Sequence, residues 1–144
     1  MSDKANTKHG NMVAIGPFVG VAAANATNDG GFYMYSWYSG GGTYTANGAS
    51  MPFDGHIVGI TCDGDGVFSG SWSVAPRING STIVEAARLS ISTAHNSKQA
   101  PSAQALSFSA GDVLTVVVTT SADFAALEND GASVVVVYVM FDNS

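Results

Sequence analysis

Charge is scarce in this chain. Its 144 residues include five Lys or Arg and eleven Asp or Glu, 11% in all, against about 25% for an ordinary soluble domain. A folded monomer of 14.7 kDa should expose roughly 6,900 Å². Each charge would then serve on the order of 400 Å², which is sparse for a protein wetted on all sides. The net charge is −6 and the pI near 4.6. A general phosphate-binding surface needs clustered Lys and Arg, so nucleic acid is not an expected partner. The single cysteine, Cys62, leaves no intrachain disulfide framework. The longest strictly apolar run, Val134 to Phe141, has eight residues, whereas a helix that crosses a membrane needs about 20. Met12 to Ala24 is apolar enough to resemble a signal-peptide core, with Ala22-Ala-Ala24 as a cleavage region. Gly16, Pro17 and Gly20 interrupt it, and alternation explains it better. The chain is expected to be made and folded in the cytosol, with no membrane contact.

What is present is hydrophobic residues, 46% of the chain, and small uncharged ones. That content rules out disorder by composition. Residues 1–11 are polar and hold Lys4, Lys8 and His9, which reads as a flexible arm able to dock on an acidic partner. From residue 12 to 144 the chain reads as one domain, and the side-chain period is two almost throughout. Val13, Ile15, Pro17, Val19 and Val21 share one face of the first strand. Asn25 to Gly31 is a turn cluster, and Phe32 to Ser39 an aromatic strand. His56, Val58, Ile60 and Cys62 line one face of the next long strand.

Trp72, Val74 and Ile78 lie on a strand that ends at Asn79-Gly80, a two-residue hairpin signal because both positions tolerate φ > 0. Ser81 to Ser92 returns as a strand, although Val84-Glu-Ala-Ala-Arg88 is helical by propensity. Thr93 to Ser102 is a polar loop, and Gln104 to Phe108 a short strand. Ala110-Gly-Asp112 turns into Val113 to Thr120, where Leu114, Val116 and Val118 alternate with Thr115, Val117 and Thr119. The last strand ends at Phe141. About eight strands, turns every 8 to 12 residues or so, and no convincing helix predict an antiparallel all-β sandwich or jelly roll.

Two strands are apolar on both faces: Phe32-Tyr-Met-Tyr-Ser-Trp-Tyr38 and Ser133 to Phe141. One face makes the core, and the other is expected to meet another subunit. The expected seam is Phe32, Tyr33, Tyr35, Trp37 and Tyr38 with Val135, Val137, Val139 and Phe141.

No enzyme chemistry is expected. His9, His56 and His95 are scattered, with no metal-ligand spacing. His56 and Cys62 lie about 20 Å apart on an extended strand, too far to pair. Ser69 lacks the flanking glycines of a nucleophile elbow. Asp63-Gly-Asp-Gly66 resembles the start of a calcium loop, but Val67 and Val74 stand where ligands are needed. Cys62 and Trp72 read as core. No catalytic, metal or cofactor residues are assigned.

Met51-Pro-Phe-Asp-Gly-His-Ile-Val-Gly-Ile60, Val74-Ala-Pro-Arg-Ile-Asn-Gly-Ser81, Ser107-Phe-Ser-Ala-Gly-Asp-Val-Leu114 and the apolar strand Val134 to Phe141 together resemble the trimeric jelly roll of tumour-necrosis-factor ligands and complement-type globular heads. The same arrangement is similar to that of small bacteriophage decoration (cement) and fibre-tip proteins. The resemblance covers about two-thirds of the chain and rests on turns. It implies a homotrimer whose last strand lies near the threefold axis. It also implies a structural virion role: decoration of a capsid surface, assembled in the host cytoplasm, with the major capsid protein as partner. Lys4, Lys8 and His9 would touch the capsid. The alternative is a receptor- or carbohydrate-binding fibre tip, with Trp37 exposed to sugar.

Overall fold

The structure, a computed structural model, describes residues 12–21, 27–34, 48–64, 68–92, 95–99, 107–126 and 132–142. Strand β1 (Met12–Val21) is followed by β2 (Thr27–Met34), β3 (Ala49–Ser50), β4 (Gly55–Asp63) and β5 (Phe68–Ser69). β6 (Trp72–Ile78) and β7 (Thr82–Ile83) form a hairpin, and a single 3₁₀ turn, Glu85–Ala87, separates β7 from β8 (Leu89–Ser90). Then come β9 (His95–Gln99), β10 (Ser107–Phe108), β11 (Val113–Thr120), β12 (Ala125–Ala126) and β13 (Ala132–Phe141). Among the described residues there is no α-helix.

Several short strands share one place in a sheet. β2 and β3 both pair with the same side of β11, β7 and β8 with β6, and β9 and β10 with β4. Merging them, and setting apart β5 and β12, which pair with each other in a small separate sheet, leaves eight strand positions. One sheet runs β1, β13, β4, then β9 with β10; the other runs β2 with β3, β11, β6, then β7 with β8. In chain order these positions read 1-8-3-6 and 2-7-4-5, the strand order of a jelly roll, and every pairing is antiparallel. β2 also bonds to β1 at Phe18↔Met34 and Val19↔Tyr33, so it joins the two sheets along one side.

One core fills the space between the sheets. Phe18, Ile57, Ile60, Cys62, Val135, Val137 and Val139 enter from the first sheet; Trp72, Val74, Leu89, Leu114, Val116 and Val118 enter from the second. Each such side chain contributes about 1.5–3 kcal/mol relative to exposure. The expectations for Cys62 and Trp72 hold: they are 1% and 4% exposed.

Simple alternation misplaces two faces, and β-bulges are the reason. In β4, Gly59 pairs with Tyr138 but Ile57 pairs with Val139, so Val58 is the extra residue. Ile57, Ile60 and Cys62 therefore point inward, while His56 and Val58 are half-buried on the outer face. The expected His56–Val58–Ile60–Cys62 face is corrected accordingly. In β1 the register shifts between Ile15 and Phe18, at Gly16-Pro17. Gly16 has φ +135, and a Cβ there would lie 3.1 Å from the Val135 carbonyl oxygen. Beyond the bulge Phe18 turns inward and Val19 outward, opposite to the expected stripe.

Three segment boundaries also differ from expectation. The Asn25–Gly31 turn cluster gives way at Thr27 to β2, whose Gly30 and Gly31 pair with Val118 and Val117. Within the expected loop Thr93–Ser102, residues 95–99 pair with Asp63 through Gly59 of β4 and satisfy its backbone. The returning strand Ser81–Ser92 breaks at the 3₁₀ turn. Opposite that break lies Pro76, whose carbonyl accepts from Val84 N at 2.9 Å. A proline has no N–H to give a neighbour on that side, so a continuous strand there would lack a ladder bond.

The Asn79-Gly80 turn forms with φ of 54° and 70°, and pairing resumes at Ile78↔Thr82, which makes the loop three residues rather than two. Asn79 Oδ1 accepts from Val113 N at 2.8 Å, and Nδ2 donates to Asp112 Oδ1 at 2.9 Å. The hairpin is thereby tied to the turn that starts β11.

Candidate interaction surface

β13 is the central strand of the first sheet, flanked by β1 and β4. Its residues divide by parity. Val135, Val137 and Val139 are 0% exposed and belong to the protomer's own core. They were expected at a subunit seam; a side chain fully covered by its own chain has no area left for a partner, so that placement is corrected. Phe141 is half-buried and packs edge-on against Phe53 and Phe108, with centroids 5.7 and 6.1 Å away. Phe32 and Tyr33 lie on β2 opposite Val116 and Val19. Their side chains lie outside the described set, as do residues Tyr35, Trp37, Tyr38, Lys4, Lys8 and His9.

The other parity of β13 faces outward: Val134, 39% exposed, with half-buried Val136, Tyr138 and Met140. Register extends this face sideways. Val134 sits beside Val19, Tyr138 beside Ala14, and Met140 beside Met12; on the other flank Val136 faces Thr61 and Met140 faces His56. Met12 is 46% exposed, and Val58 adds to the face at the bulge. No residue of β1 or β13 carries a formal charge. Among the described residues of this face, charge enters at the two ends, as Asp63 beside Val134 and as Asp142, whose Oδ1 lies 3.6 Å from His56 Nδ1. The sequence held one signal for the correct parity. Tyr138 is the one polar-tipped side chain in Val134–Phe141, and its hydroxyl belongs in water rather than in an apolar core.

The outer face of the second sheet is built differently. Arg88 Nη1 donates to Ser73 Oγ at 2.9 Å and to Thr119 Oγ1 at 3.3 Å, while its Nε and Nη2 reach Glu85 at 2.7 and 2.9 Å. Arg77 Nε donates to Thr115 Oγ1 at 3.2 Å. Between these guanidinium groups Ala75 and Val117 are fully buried. Two of the five basic residues are spent on this face, so it is covered from within the protomer. The Glu85 carboxyl is held below its ordinary range by the Arg88 hydrogen bonds.

Burial, then the neighbouring Asp63 charge, pushes the Cys62 thiol up to about 12, so no nucleophilic thiolate forms near neutral pH. The β4 bulge puts His56 and Cys62 on opposite faces. Trp72 packs with Phe68 and Phe124 at 6.2 and 6.0 Å. Among the described residues no group of three or more His, Cys, Asp or Glu is placed to hold a metal ion. Comparison with protein-family models, curated proteins and solved structures finds no match.

Proposed function

We propose that this chain is a structural assembly protein: a jelly-roll protomer that associates with copies of itself and works as a decoration protein on a phage capsid. One observation carries the reading. The outward face of β1, β13 and β4 presents Val134, Val136, Tyr138 and Met140 with Met12, Ala14 and Val58, and holds no charge between Asp63 and Asp142. An apolar face suits another apolar face, because neither side has to strip water from an ion. The second sheet, sealed by Arg77 and Arg88, lacks that character. A homotrimer about the β13 face follows the resemblance read from the sequence, with the major capsid protein as the further partner. The work is then buried area and shape fit, about 1,600 Å² for a standard interface, repeated over a lattice.

Native mass measurement with Val136→Asp and Tyr138→Asp variants tests the assembly. The parent chain is expected as a trimer and both variants as folded monomers; a monomeric parent chain refutes the seam. Sedimentation with expanded empty shells tests the role, which predicts co-sedimentation of the trimer with the shell. Binding to cells or glycans without shell binding would favour the fibre-tip alternative.

A further inference from the structure

The turn between β6 and β7 places an asparagine directly before a glycine, a dipeptide with chemistry of its own. In Asn-Gly the glycine backbone nitrogen can attack the asparagine carboxamide carbon, because no Cβ on the following residue crowds the approach. The fold does not crowd it either: Asn79 and Gly80 are both exposed, and a Cβ built on Gly80 would meet no atom within 4 Å. What restrains the pair is the tie to the start of β11. Asn79 N donates to the Val113 carbonyl at 2.8 Å. Its Oδ1 accepts from Val113 N at 2.8 Å, and its Nδ2 donates to Asp112 Oδ1 at 2.9 Å. Asp112 is itself fixed, since Oδ2 accepts from Ser109 N at 2.9 Å. Both polar atoms of the carboxamide are therefore held by residues more than 30 positions away in the chain. Cyclisation must turn the face of that carboxamide onto Gly80 N, which breaks both side-chain bonds.

We propose that Asn79 is a deamidation site gated by the fold, shut while the hairpin is tied to Asp112 and Val113 and open once that tie is released. The step needs only the chain and water. The Gly80 nitrogen loses its proton and bonds to Asn79 Cγ, the bond from Cγ to Nδ2 breaks, and ammonia leaves. Water then opens the cyclic imide at either carbonyl, giving aspartate or isoaspartate. Two side-chain hydrogen bonds of ordinary strength favour the tied form by a factor of about 5–30. The product cannot restore the tie. The Nδ2 donor is gone, and a second carboxylate stands where the 2.9 Å bond to Asp112 Oδ1 was made, so like charges oppose closure. Isoaspartate also lengthens the main chain by one atom at the turn, which displaces the Ile78↔Thr82 pairing. The modification is one-way, and it marks chains whose hairpin has come free of β11.

Peptide mapping by mass spectrometry in mildly alkaline buffer tests the gate, following Asn79 apart from the chain's other Asn-Gly pair, Asn47-Gly48. In urea the two asparagines should deamidate at similar rates. In the folded chain Asn79 should react about 30-fold more slowly than in urea, or more slowly still. Asp112→Ala removes one partner of the carboxamide and should speed the folded-state reaction about fivefold. Val137→Ala weakens the core without touching the hairpin and should leave Asn79 protected. Equal rates for Asn79 in buffer and in urea would overturn the proposal. So would an unchanged rate in folded Asp112→Ala, or an equal acceleration by Val137→Ala, which would assign the protection to global folding instead of the tie. The comparison of buffer with urea uses the parent chain, so it decides the matter even where Asp112→Ala fails to fold.

Discussion

The parity of β13 makes a sharp quantitative demand. Val136 and Val137 are adjacent and identical, yet Val137 is 0% exposed between the sheets while Val136 is half-buried on the outer face. Val137→Ala removes two methyl groups, about 1.6 kcal/mol of transfer free energy. With a cavity left between β13 and its core neighbours, the total becomes about 2–3 kcal/mol. For a chain of this size that lowers the melting temperature by roughly 6–10 °C. Val136→Ala removes the same atoms from a face that keeps some contact with water, so it should cost less than about 1 kcal/mol. The assay is urea unfolding at protein concentrations low enough to dissociate any assembly, with the m-value checked for constancy. Equal losses for the two variants would refute the assigned parity of β13. At high concentration the order should change. Val136→Ala weakens self-association in sedimentation, whereas Val137→Ala acts through the fold alone.

Three further outcomes follow from particular contacts. Asn79→Ala loses two side-chain hydrogen bonds and leaves an alanine at φ 54°, a left-handed conformation that asparagine adopts more readily. A loss of about 2–3 kcal/mol is expected in denaturant melts, and Asn79→Gly should recover about 1 kcal/mol of it by relieving the backbone alone. Asp112 titrates below the usual carboxylate range, chiefly because Ser109 N donates to it and secondarily through Asn79. Its stabilising effect is therefore full above the ordinary carboxylate pKa of about 4 and is lost as pH falls through the lower folded value. Asp112→Asn should flatten that acid limb of the stability curve; an unchanged limb would contradict the hydrogen-bond assignment. Cys62 should resist thiol reagents at mildly alkaline pH in the native state, and react as one thiol per chain after unfolding; rapid native labelling would show that β4 opens.

Much of the fold was legible because its signals are local. Alternation marked β11 at Val113–Thr120, and Asn79-Gly80 and Ala110-Gly-Asp112 marked turns that do form. Alternation alone cannot register a bulge, because one inserted residue swaps every later side chain to the other face. That is why the expected stripes of β1 and β4 each change face part-way; Val135, Val137 and Val139 were placed at a seam because β13 is apolar at both parities and alternation alone does not say which parity faces the core. β9 was hidden for another reason: its sequence, His-Asn-Ser-Lys-Gln, is polar, and only the backbone demand of β4 makes it a strand. The outward face was foreseen as apolar but with the wrong residues.

The pairing of β1 with β13 has a consequence for synthesis. The strand that fills the middle of the first sheet is the last of the described strands to leave the ribosome, while its two neighbours, β1 and β4, emerge early. Until β13 arrives, each of them waits with an unpaired edge of backbone donors and acceptors, which invites pairing with other chains. The first sheet therefore completes only after translation has passed residue 141, and a chain stopped before Ser133 is left with two sticky edges in place of a sheet.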